Sequence, residues 1–174
     1  MPSSESVVSL LEDLDSYTNL HGADHLDTLG IAYQLAIALR EAGDPDGAAG
    51  MLHQALELLI STVGVNHPKS LAAKGDLAAV LFELGRDAEA GVLEREAFES
   101  AQAHLGKTHS VTNVLAWNRA LNYERSGDLD SARNVFTQEL SWLLVEDPSG
   151  LETDQNAIRG MLADRLNWDG AKAC

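Results

Sequence analysis

Apolar residues along this chain recur at helical spacing. Leu71, Leu77, Ala78, Leu81 and Phe82 fall on one stripe of 3.6-residue period that stops at Gly85. Ala90, Leu93, Ala97 and Ala101 form a second stripe, which stops near Gly106. The short step from Gly85 to Ala90 leaves room only for a tight turn, so the two helices are antiparallel neighbours, A then B. Glycine at the end of each stripe suits a left-handed helix C-cap, where a side chain would cost energy. Asp44-Pro45, Arg86-Asp87 and Asp128-Leu129 then supply acid or proline for the first turn of the next helix. No segment reads as a strand.

The pattern repeats at a fixed step. Gly22, Gly64 and Gly106 are 42 residues apart, as are His25, His67 and His109. Gly43, Gly85 and Gly127 keep the same offset, and so do Ala36, Ala78 and Ala120, and Ala48, Ala90 and Ala132. Thr28, Ser70 and Thr112 hold a hydroxyl at one further register position. A period in this range means like supersecondary units set side by side. Each unit is a helical hairpin whose small alanines let the two axes approach. Residues 5–20, with Val7, Leu10, Leu11, Leu14 and Tyr17, look like a B helix without its A partner. Residues 151–167 carry Ile158, Met161, Leu162 and Leu166 on one stripe, with Asp154, Asn156, Arg159 and Asp164 opposite, as a terminal A helix would. The expected architecture is all-α, an α-solenoid of eight helices: B0, A1–B1, A2–B2, A3–B3 and A4. One domain covers 1–174, with repeats at 21–63, 64–105 and 106–148 and a tail at 168–174.

Gly43, Ala48 and Ala55, echoed by Gly85, Ala90 and Ala97, resemble the tetratricopeptide repeat. Gly64-Val-Asn-His-Pro-Lys-Ser-Leu71 is similar to the linker of the longer, 42-residue repeats of kinesin light chains and many bacterial relatives. Gly22–Leu29 and Gly106–Asn113 are degraded copies of it. The third repeat departs at two places: Arg119 stands where Leu35 and Leu77 stand, and Glu139 where Ala55 and Ala97 stand. The resemblance implies a protein or peptide partner in a concave groove lined by A helices. Carried over by position, that groove takes Tyr33, Gln34, Ile37, Arg40 and Glu41 from A1. From A2 come Gly75, Asp76, Ala79, Phe82 and Glu83, and from A3 Trp117, Asn118, Leu121, Glu124 and Arg125. Asn118 holds the position of the family's backbone-clamping asparagine, which Gln34 and Asp76 replace in the other repeats. The alternative for Tyr33 and Trp117 is ordinary packing between A helices.

Charge narrows the partners. Twelve basic against 27 acidic residues leave a net charge of −15, with an isoelectric point near 4.5. A chain so negative repels phosphate backbones and anionic lipid, which argues against nucleic acid and membrane surfaces. Six carboxylates precede Arg40, unlike the basic start of a secretory signal or the Arg-rich transit peptide. The only cysteine, Cys174, cannot form an intrachain disulfide. These features fit a cytoplasmic protein.

Chemical look-alikes dissolve on inspection. Ala101–Thr108 matches a relaxed phosphate-loop pattern, but it ends a helix, the wrong pole for phosphate. Hairpins spaced about 10 Å apart separate the three repeat histidines too far for metal bonds of about 2 Å, so each imidazole caps its own linker instead. His21 and His25 sit in a loop with only Asp24 near. No HExxH or GxSxG occurs, and acid pairs such as Asp13/Asp15 and Asp44/Asp46 lie on solvated helix ends. No cofactor, no metal and no catalysis are expected. The leading expectation is a non-catalytic interaction adaptor, with Arg40 and Arg125 available to a partner's acid. Another is an accessory or regulatory subunit that docks a pathway enzyme or presents its Cys174 tail. The end helices B0 and A4 are the surfaces open to a homodimer.

Overall fold

Each hairpin begins where the sequence places its histidine. Nδ1 of His25, His67 and His109 accepts the backbone N–H two residues on, at 3.3, 3.2 and 3.2 Å. The imidazole thereby satisfies one of the amides that the first turn of a helix leaves orphaned. All six repeat glycines have positive φ; Gly127, at φ 83° and ψ 3°, is the left-handed cap of its A helix. A side chain there would be strained, which explains why the glycines keep the period.

The computed structural model describes residues 4–166, and every regular element among them is helical. In order they are α1 (Ser4–His21), α2 (Leu26–Glu41), α3 (Pro45–Val63), α4 (Pro68–Glu83), α5 (Asp87–His104), α6 (Ser110–Ser126) and α7 (Leu129–Val135). A π-helical turn, Phe136–Leu140, leads into the short α8 (Trp142–Val145), a 3-10 turn at Pro148–Gly150 and α9 (Thr153–Arg165). These follow the expected order B0, A1–B1, A2–B2, A3–B3, A4, with B3 divided into α7, the π turn and α8. The Cys174 tail lies outside the described residues.

The chain divides into two compact units, one up to Ala97 and one from Phe98, with the division inside α5. In the first, α1 packs on α2, α2 on α3 and α3 on α4. Leu29, Leu52, Leu56, Leu77 and Leu81 form its core together with Ala36, Ala48, Ala73 and Ala90. Ala36 and Ala48 are both fully buried, as the close crossing of α2 and α3 requires. On α1 the expected stripe is only partly covered: Val7, Leu10 and Leu14 are half-buried, whereas Leu11 and Tyr17 are exposed.

In the second unit α6 packs on α7, the π turn and α9. Leu115, Ala120, Phe136, Leu140, Leu143, Ile158 and Leu162 are buried there. The Glu139 departure falls in the π turn. A carboxylate at the repeat position of Ala55 and Ala97 would be costly in the core; Glu139 stays half-buried, while Leu140, at the register of the buried Leu56 and Phe98, is 0% exposed. The register of Leu29 and Leu71 continues as Asn113 and Gln155, both buried. Gln155 Nε2 donates to Asn113 Oδ1 and to the Thr108 carbonyl, each at 2.8 Å, and Asn113 Nδ2 donates to the Lys107 carbonyl at 2.8 Å. This polar pair is satisfied, so it can replace leucine without the cost of an orphaned group.

Two expectations for the terminal helix need correction. Its buried line is Gln155, Ile158 and Leu162, while Met161 is 41% exposed. Met161 has the register of Leu35 and Leu77, which a B helix covers, and no B helix follows α9 among the described residues. Arg159, expected on the solvent face, instead turns its Nε onto the Leu143 carbonyl at 2.9 Å and caps the end of α8.

Candidate interaction face

The A helices α2 and α4 of the first unit present side by side most of the residues expected to meet a partner. Equivalent positions on the two helices are one repeat apart, so side chains 43 residues apart in sequence come into contact. Tyr33 Oη donates to the Asp76 carboxylate. Arg40 grips Glu83 with two groups, its Nε lying 3.0 and 2.9 Å from the two carboxylate oxygens and its Nη2 donating as well. Arg40, expected to be available to a partner's acid, is thus also engaged within the unit. Partial burial pushes the Asp76 carboxyl above its usual value, while the Tyr33 hydrogen bond and the Arg40 charge pull it down. The hydrogen bond to Glu83 raises the Arg40 guanidinium further still.

Around this polar pairing, Ile37, Ala79 and Phe82 are half-buried and Gln34 is exposed. Phe82 and Tyr33 pack their inner faces against the core cluster. Gly75 is buried. Beside Tyr33 the surface sinks into an apolar recess of about 250 Å³, lined by Leu26, Leu29, Gly30, Leu59, Ala72 and the stem of Lys69. Its floor exists because Gly30 and Ala72, one repeat apart, carry little or no side chain. A missing side chain leaves no chemical signature in the sequence; the only signal is smallness at one register position.

In the second unit, Trp117 is 6% exposed and packs against Phe136, ring centroids 5.3 Å apart, with the Arg165 guanidinium 4.8 Å from its own centroid. It is a packing residue, the alternative that its position in the register left open. Glu124 accepts from Arg165 Nε at 3.3 Å. Asn118 and Leu121 are half-buried and Arg125 is exposed. Among the described residues no three His, Cys, Asp or Glu side chains converge as a metal site would need, and no helix is long and apolar enough to cross a membrane.

Comparison with known proteins agrees with this geometry. No curated protein matches the chain in sequence. Among solved structures it resembles BtubC (BKLC) from P. vanneervenii with a TM-score of 0.72 at 21% identity, covering 97% of this chain and 68% of that one. It also resembles the nearly identical TPR-like repeats of a kinesin-light-chain-type protein from Podosopora anserina, with a TM-score of 0.69, again at 21% identity, covering 97% of this chain and 80% of that one. Both likenesses concern the fold. The tetratricopeptide repeat family model matches residues 29–103, from within α2 to within α5. Residues 29–103, with their histidine-capped, glycine-closed hairpins, match the tetratricopeptide repeat, and the chain shares the all-helical fold of both solved structures.

Proposed function

We propose that this chain is a non-catalytic adaptor that holds a peptide or protein segment on the α2–α4 face. The repeat family serves protein interaction in general and is generally non-catalytic. The observation that carries the finer reading is the recess beside Tyr33: a small apolar pocket next to polar groups suits one buried side chain of an extended segment. Asn118, Leu121 and Arg125 on α6 are the corresponding positions of the second unit. A single cysteine and a strongly acidic surface fit work in the cytoplasm.

Gly30 offers a clean test. A Cβ built there meets nothing within 4 Å, so Gly30→Leu fits the helix and fills the recess. Leucine is also the better helix former by about 0.5–1 kcal/mol. Peptides selected from a display library on the native chain should share an apolar anchor, and Gly30→Leu should bind them at least tenfold more weakly with its thermal melt intact. Equal binding by both proteins would move the site off this face. A second reading, self-association through the end helix α1, is favoured by Val8, Leu11 and Leu20, which are 53%, 49% and 74% exposed.

A further inference from the structure

The two departures of the third repeat open on one cleft of about 500 Å³ within the second unit, within the range of small-molecule sites. Arg119 stands where Leu35 and Leu77 are buried, and Glu139 where Ala55 and Ala97 are buried. Neither charge enters the core. Arg119 lies over the ring of Phe98, 5.2 Å from its centroid, and over that of Tyr123, at 5.7 Å. It donates to Tyr123 Oη at 3.3 Å, and no carboxylate among the described residues lies within ion-pair reach of it. A guanidinium carries five N–H donors, and Arg119, with its hydrogen bond to Tyr123, lines the cleft.

The other charged residues of the lining have the opposite sign. Glu99, Asp130 and Glu139 border the same space. Glu139 is partly committed, accepting from Gln102 Nε2 at 3.0 Å and lying 4.0 Å from Lys107 Nζ. Glu99 and Asp130 are exposed at the rim. A simple anion seated on Arg119 would meet these carboxylates, and a simple cation would meet Arg119. A molecule bearing both charges satisfies both.

We propose that this cleft binds a zwitterion whose carboxylate pairs with Arg119 while its cationic side group lies between Glu99 and Asp130. The planar fork of arginine, lying against two aromatic rings, is suited to two-pronged contact with a carboxylate. A free basic amino acid and the C-terminal Lys or Arg of a peptide share this chemistry. The site lies apart from the α2–α4 face and does not depend on the adaptor reading.

Calorimetric titration of the full chain with L-arginine, with an acetylated tripeptide ending in arginine, and with the same tripeptide as its C-terminal amide separates the cases. Saturable binding of L-arginine alone assigns the site to a free amino acid; binding of the tripeptide acid assigns it to a chain terminus. In either case the ligand should bind at least tenfold more weakly to Arg119→Leu, which restores the residue of the other repeats; where the tripeptide acid binds, its amide should bind at least tenfold more weakly than the acid. Glu99→Gln with Asp130→Asn, which leaves Arg119 in place, should remove the preference for arginine over alanine at the ligand's charged position. No saturable binding of either ligand up to millimolar concentration overturns the proposal. So does binding that Arg119→Leu and amidation both leave unchanged.

Discussion

Among single residues, Asp76 has the clearest measurable consequence. Its carboxyl titrates above the ordinary range because burial disfavours the charged form more than Tyr33 and Arg40 favour it. A carboxyl raised in the folded state binds its proton more tightly than the unfolded chain does. Between the usual carboxylate value and the raised one, the native state therefore holds more protons, and stability falls as pH rises through that window. Above the raised value the loss is complete and constant. Asp76→Asn removes the group, so urea midpoints compared across that window should show the native protein losing stability relative to the variant as pH rises. A difference that stays flat, or runs the other way, would mean that the contacts with Tyr33 and Arg40 outweigh burial.

The same scale shows what the sequence could reveal about individual side chains. The histidine caps were legible because one imidazole recurs at a fixed step beside a glycine and before a helix. The buried Asn113–Gln155 pair was not, since an amide in a leucine register reads as a decayed copy until its partner is seen 42 residues on. Pairing explains the candidate site too. Position alone put Arg40 and Asp76 on the interaction face, but it could not show that Glu83 and Tyr33 already engage them.

At the scale of the element, period and punctuation located the helices. Glycine ends and Asp-Pro or Arg-Asp starts set boundaries that the structure keeps to within a few residues. B3 is the exception. The sequence marked where it would fail, at Glu139, but not how, because a π turn depends on how the surrounding residues pack rather than on any local motif. The alanines are the most exacting element-level feature. Ala90 is fully buried in the first unit's core, where α5 begins. Ala90→Trp would force a ring into that crossing and should cost about 1–3 kcal/mol, read as a lower thermal midpoint. An unchanged melt would mean that the site has room, contrary to its burial.

Over the whole molecule the dominant quantity is charge. At −15, the chain surrounds itself with a negative potential that acts before any contact forms. This feature was fully legible in the sequence, since net charge needs no fold, although the recess that would receive a partner was not. The two set different parts of binding. An apolar recess governs mostly how long a segment stays, whereas long-range charge governs how often it arrives. For two peptides with the same apolar anchor, one flanked by lysines and one by glutamates, the basic one should associate faster. The gap should narrow as ionic strength rises, because the screening length shrinks from about 30 Å at 0.01 M to about 8 Å at 0.15 M. Dissociation rates, set by the anchor, should differ much less. Stopped-flow association at both salt concentrations reads the effect directly. Association rates that are equal for the two peptides at low salt, or unaffected by salt, would show that the carboxylates lie too far from the α2–α4 face to steer a partner towards it.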